Sequence, residues 1–246
     1  MIINTFNAAW FIMLGVMLAL TVAVMLIGKG KSYDFKRKLM LVLYVFIIVF
    51  YIAYKGYLVY FSKTYKTSFW NELPLALCQV ASLFAYPAVA SKNRTLLGFS
   101  FFTGTLCSFA ALLMPVSGFY NIPLLSFESI GYYGFHILVF VICINIYLLK
   151  LYNPQVKDVP KILLFFAASL VVVHIINAII RATVYPASNY YFTYFHENNF
   201  IFKFLWDLIP VPCLYLVPLL LPVGLVYCGL AALLHRKKGS LRIKEA

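Results

Sequence analysis

Seven apolar runs, each of about 20 residues, occupy most of this 246-residue chain, and that feature removes nearly every architecture but one. A run of that length, wound as a helix rising about 1.5 Å per residue, crosses ~30 Å of hydrocarbon. In hydrocarbon every backbone N–H and C=O must find its partner within the protein, which leaves only helices and closed barrels. The runs are continuous and do not alternate in polarity, so the sequence predicts helices. Their extents are about 5–27, 39–61, 73–91, 95–116, 130–152, 162–185 and 208–234. The expected fold class is all-α: a polytopic bundle of seven transmembrane helices. Residues 1–246 read as a single integral membrane domain, because no internal repeat is visible and no loop is long enough to hold another. Residues 1–8 carry no positive charge, so the first run reads as a retained span and not as a cleaved signal.

Composition agrees: 64% of residues are hydrophobic and 11% charged, which excludes a water-soluble domain. In a soluble protein the net charge of +13 would suggest nucleic acid, but here the basic residues sit in short loops between spans, so no nucleic-acid partner is expected. Segments 28–38, 91–95, 150–161 and 235–246 hold 15 lysines and arginines, against three (Lys63, Lys66 and Lys203) in 62–72, 117–129 and 186–207. That asymmetry predicts an outer N-terminus and a cytoplasmic C-terminus, in a multi-pass protein of the cell membrane. Five cysteines show no CxxC pair and no zinc-like spacing, so neither a disulfide framework nor a metal site nor a cofactor is expected.

The outer segments are the longer ones and are crowded with aromatics, among them Phe69, Trp70, Phe119, Tyr120, Tyr190, Tyr191, Tyr194 and Trp206. Two readings stand: interfacial or re-entrant caps, and an ordinary aromatic belt at the headgroup layer.

Polar groups gather at one depth below that surface. Cys78, His136, Lys55 and Arg181 each lie four to six residues inside the outer end of an expected helix, so all fall within about 10 Å of the outer interface. His174, Asn177 and Arg181, spaced i, i+3 and i+7, form one stripe on an otherwise apolar helix that should face inward. Tyr132, Tyr133 and His136 occupy neighbouring positions of the fifth helix, with Glu128 just before it. Lys55 and Arg181 read either as snorkelling side chains or as phosphate ligands. Cys107, Cys143 and Cys228 read as packing residues, Cys213 likewise unless the segment Pro210-Val-Pro-Cys-Leu-Tyr215 lines the pocket, and His174 as a helix-bridging hydrogen-bonding group. Cys78 with His136 is the pair whose chemistry stands out, because an imidazole that takes the thiol proton creates the nucleophile of acyl transfer.

Leu73-Pro-Leu-Ala-Leu-Cys-Gln-Val80, Leu113-Met-Pro-Val116, Phe127-Glu128 followed by Tyr132-Tyr133-Gly-Phe-His136, Asn189-Tyr190 and Pro210-Val-Pro-Cys-Leu-Tyr215 together resemble the bacterial YwaF group of integral membrane proteins, related to the animal transmembrane protein 164. The resemblance spans roughly residues 40–234. It implies a cysteine-dependent acyltransferase acting on membrane phospholipids, with Cys78 as the acyl-accepting nucleophile and His136 as general base. Gln79, Tyr132 or Tyr133 would supply oxyanion donors and Lys55 with Arg181 the phosphate contacts, while Glu128, His174, Asn177 and Asn189 complete the expected substrate pocket. Ala76 and Gln79 depart from the bacterial pattern, which places a histidine and an acidic residue there. The alternative function is a non-enzymatic lipid or small-molecule binder or transporter using the same pocket, which prolines at 87, 115, 210, 212, 218 and 222 would suit.

Overall fold

Helices follow the apolar runs in the computed structural model, which describes residues 2–4, 6–65, 67–115, 119, 122–197 and 200–235. In chain order they are α1 (Ala8–Gly28), α2 (Tyr33–Tyr60), α3 (Leu77–Ser91), α4 (Arg94–Phe99), α5 (Thr105–Leu113), α6 (Phe127–Leu148), α7 (Val159–Thr183), α8 (Phe200–Leu208) and α9 (Leu220–Leu234). Among the described residues there is no strand, only an isolated antiparallel bridge between Ile2 and Pro123. Among the described residues, six stretches are long and apolar enough to cross a membrane: Ala8–Gly28, Tyr33–Tyr60, Arg94–Leu113, Phe127–Leu148, Val156–Thr183 and Leu214–Leu234. The protein is a multi-pass α-helical membrane protein.

Several expected boundaries are corrected. The third run, 73–91, forms only the 15-residue α3, which at helical rise spans about 22 Å, shorter than the hydrocarbon. α2 starts at Tyr33 and not at 39, because Ser32 caps it by accepting from the Phe35 N–H and the basic residues that follow join its first turns. α6 starts at Phe127 and not at 130, because Ser126 accepts from the Ser129 N–H. The last run does not begin at 208. Pro210 and Pro212 interrupt it, so α8 is separate and the span opens with a 3₁₀ turn at Leu214–Leu219. α8 turns Phe200, Ile201, Phe204 and Leu208 outward with a Lys203–Asp207 ion pair along one edge, the pattern of an interfacial helix. Val116, Tyr120, Lys66 and the basic residues from Arg236 onward lie outside the described residues.

α6 is the central helix, packed by α1, α2, α3 and α5. Small residues let its neighbours approach, the usual basis of helix association in lipid. A Cβ at Gly131 would stand 1.9 Å from the Tyr54 ring of α2, and one at Gly104 would stand 2.3 Å from the Cys143 sulfur of α6. Between α4 and α5, Ser100–Gly104 winds as a π-helix, fully buried, with Thr103 hydrogen-bonded to the Tyr227 hydroxyl of α9 at 2.8 Å. Such wide turns often mark functional regions, and this one packs against α3.

Candidate functional site

The start of α3 is built from its own sequence. Pro74 lies before the helix, not in its first turn, and the N-terminal cap comes from Gln79, whose Oε1 accepts from the Ala76 N–H at 2.9 Å. Cys78 is therefore the second helical residue, where backbone N–H groups have no carbonyl to bond and the helix dipole favours negative charge. Deeper in α3, Pro87 frees the Leu83 carbonyl, which accepts from the Tyr44 hydroxyl at 3.2 Å; at its end, Arg37 donates to the carbonyls of Val89 and Ala90. These bonds fix α3 against α2 at both places.

α6 brings the partner. Cys78 Sγ and His136 Nε2 are 3.4 Å apart, and His136 Nδ1 lies 2.7 Å from the Tyr132 carbonyl oxygen. A carbonyl only accepts, so Nδ1 carries a proton and, in the neutral ring, Nε2 presents its lone pair to the thiol. The Tyr132 ring packs 4.5 Å from the imidazole and holds its plane. His136 is 8% exposed and Cys78 is partly buried, so the base is enclosed within the bundle. Nucleophile, base and orienting carbonyl thus form a chain of two contacts, the geometry of a base-activated thiol.

The other expected residues divide sharply. Lys55 makes a short ion pair with Glu72, whose second oxygen accepts from Thr67 at 2.7 Å, and its ammonium lies 4.9 Å from the Tyr54 ring. Lys55 neither snorkels to the surface nor stands free for a phosphate. The Tyr132 and Tyr133 hydroxyls donate to the carbonyls of Ala111 and Phe119, and Glu128 accepts from Ser62 at 2.7 Å two turns from His136. The stripe on α7 exists, but it faces the loop that follows and not Cys78. Asn177 donates to the Tyr190 carbonyl and Thr193 Oγ1 and accepts from Ser188 and the Tyr190 N–H; Arg181 donates to the Ser188 carbonyl, and both His174 and Arg181 lie on the Tyr194 ring. Asn189 folds the same loop, accepting from the Tyr194 N–H and donating to Glu197.

That loop closes back on α3. The Tyr190 hydroxyl accepts from the Leu73 N–H at 2.9 Å and donates to the Trp70 carbonyl at 2.8 Å, so the loop capped by the α7 stripe is latched to the segment leading into Cys78. Beside Gln79, a narrow apolar crevice between α2, α3 and α6, lined by Ile47, Ile48, Leu83 and Phe135, leaves about 10 Å³ of free space. Among the described residues no group of three or more histidine, cysteine, aspartate or glutamate side chains is placed to hold a metal ion.

The model of the TMEM164 family matches residues 5–230. This chain belongs to the TMEM164 family. Membership agrees with the relation to transmembrane protein 164 that the motifs implied, and the match extends beyond them at the N-terminal side. No curated protein matches the chain, and no solved structure does. Within this TMEM164-family fold, the sequence places Glu72 on an outer segment but does not reveal it as the partner of Lys55. Glu72 immediately precedes the Leu73–Val80 motif and carries the only carboxylate of segment 62–72, which was the available signal.

Proposed function

We propose that this protein is a membrane-embedded acyltransferase that moves a fatty acyl chain between a phospholipid and a lysophospholipid through a thioester on Cys78. The observation that carries the reading is the 3.4 Å approach of Cys78 Sγ to His136 Nε2, with the other imidazole nitrogen committed to the Tyr132 carbonyl. The thiol gives its proton to Nε2, and the thiolate attacks the ester carbonyl. The imidazolium then returns the proton to the departing lysophospholipid oxygen. In the second half an acceptor hydroxyl loses its proton to Nε2 and attacks the thioester, regenerating Cys78. Family membership supports a lipid substrate.

In the same reading α3 with the residues leading into it is the seventh crossing element, the N-terminus is outside, and the site opens towards the outer leaflet of the cell membrane. The test is transfer itself. Full-length protein is reconstituted in phosphatidylcholine vesicles with a deuterated lysophospholipid, and labelled diacyl product is followed by mass spectrometry. Cys78→Ala and His136→Ala should each abolish product formation. Undiminished transfer in Cys78→Ala would refute the mechanism. Absence of transfer by native protein that retains lipid tightly would favour a lipid-binding or transport role.

A further inference from the structure

Cys78 and His136 sit on different helices, so their 3.4 Å approach is only as well fixed as the packing that sets α3 against α6. Residues 51–55, one turn of α2, serve as the reference for both. The Tyr51 ring packs against that of Phe135, with centroids 5.0 Å apart, and the Tyr54 ring fills the space over Gly131. His136 directly follows Phe135 in α6. The same turn carries Lys55, which makes an ion pair with Glu72, and the Tyr51 hydroxyl donates to the Glu72 carbonyl at 3.0 Å. The second Glu72 carboxylate oxygen accepts from Thr67 at 2.7 Å, so side chain and backbone of this residue are both held. Tyr51 also lines the crevice together with Pro74, Gln79 and Phe135, so it stands where the two helices come together.

Between Glu72 and Cys78 the chain has little slack. The Leu73 N–H donates to the Tyr190 hydroxyl at 2.9 Å, the Leu75 N–H to the Leu73 carbonyl at 2.7 Å, and the Ala76 N–H to Gln79 Oε1 at 2.9 Å. Pro74 fixes its own φ between them. A displacement of Glu72 is therefore passed to the first turn of α3, where Cys78 lies. The ion pair is costly where it stands, because the side chains of Lys55 and Glu72 are only 17% and 5% exposed. Buried pairs of this kind often add no stability over apolar residues of the same volume, and their best-attested use is to fix one register of packing. Neutralising one partner leaves the other charge buried and uncompensated, and movement of the segment towards water relieves it.

We propose that Glu72, with Lys55 and Tyr51, is a positioning residue of the acyl-transfer site: the ion pair and the tyrosine bond hold the segment leading into α3 in the register that brings Cys78 Sγ to His136 Nε2. The inference rests on the acyltransferase reading, from which it takes the purpose of that approach. Lys55 then acts through Glu72 and the backbone, and not on the substrate. Without the pair the segment 72–76 shifts and the thiol loses its base. The step that suffers is formation of the thiolate, not binding of lipid.

The test reads the pairing directly, by alkylation of Cys78 with iodoacetamide in full-length protein in detergent micelles at neutral pH, followed by peptide mass spectrometry. Glu72→Gln should slow alkylation by at least about fivefold, part of the loss that removal of the base itself brings. The variant carrying both Glu72→Gln and His136→Ala should alkylate within about twofold of His136→Ala alone, because a residue that acts through the pair has nothing left to act on. Asp207→Asn, which breaks the exposed ion pair of α8, should leave the native rate unchanged. A fall in Glu72→Gln of less than about fivefold would overturn the proposal. So would a fall that multiplies with that of His136→Ala in the double variant, since it would show a general loosening of the fold. Tyr51→Phe keeps the ring on Phe135 and removes only the bond to the Glu72 carbonyl, and should slow alkylation at least about threefold in the same non-additive way. It decides by the same criteria if Glu72→Gln yields no folded protein. If His136→Ala alkylates as fast as native protein, the pair itself fails and the positioning role with it. If alkylation behaves as expected but native protein transfers no acyl group between lipids, the acyltransferase reading fails while the positioning of Cys78 stands.

Discussion

Asn177→Ala should release the outer loop while leaving the spans intact. The carboxamide makes four hydrogen bonds: two donated, to the Tyr190 carbonyl and Thr193 Oγ1, and two accepted, from Ser188 Oγ and the Tyr190 N–H. Asn177, Ser188 and Thr193 are buried to within 1% of complete, so water cannot replace what alanine removes. Each bond is worth about 1 kcal/mol net in proteins generally, and about 0.6 in membrane-protein cycles. Together they come to about 2–4 kcal/mol, which at 1.4 kcal/mol per decade is a shift of roughly 30–700-fold in the opening equilibrium of the loop. Hydrogen exchange read on peptides covering 186–197 should accelerate by that factor, while peptides from α6 exchange as in native protein. Asn177→Asp keeps both acceptors and loses both donors, and should fall between the two. Exchange of the loop in Asn177→Ala within threefold of native would refute the claim that this side chain organises it.

Three further outcomes follow from the same contacts. His136→Ala should slow alkylation of Cys78 at neutral pH at least tenfold, with Cys107→Ser as the control that leaves it unchanged, because only His136 accepts the thiol proton. Gly131→Ala drives a methyl group into the Tyr54 ring and should cost about 1–3 kcal/mol in detergent melts, most of it recovered when Tyr54→Leu is added. Tyr190→Phe removes the latch to Leu73 and Trp70 and should lower stability by about 1–3 kcal/mol, seen as a lower melting temperature and faster exchange of the segment 69–76.

The spans were legible because hydrophobic length is a local property: six of the expected runs end up in stretches long enough to cross a membrane. Their ends were less so. Ser32 and Ser126 start helices among polar residues where hydropathy sees none, and the prolines at 210 and 212 split a run that hydropathy reads as continuous. The pairing of Cys78 with His136 was suggested by depth, since residues at equal distance from one interface can meet across helices. The partners of Lys55, Tyr132 and Asn177 were not legible. Whether a polar side chain serves a ligand or a neighbouring backbone depends on loop paths, such as the return of 188–195 over α3, that no spacing encodes. The stripe His174, Asn177 and Arg181 was legible as one face, but not the loop that lies on it.

The most direct test of the central claim is intact-protein mass spectrometry after incubation with phospholipid, comparing native protein with Cys78→Ala and His136→Ala. The account predicts a hydroxylamine-labile mass increase of one fatty acyl group in native protein, absent from Cys78→Ala and strongly reduced in His136→Ala. An equal adduct on Cys78→Ala, or transfer between lipids without any labile adduct on rapid quenching, would contradict a thioester at Cys78.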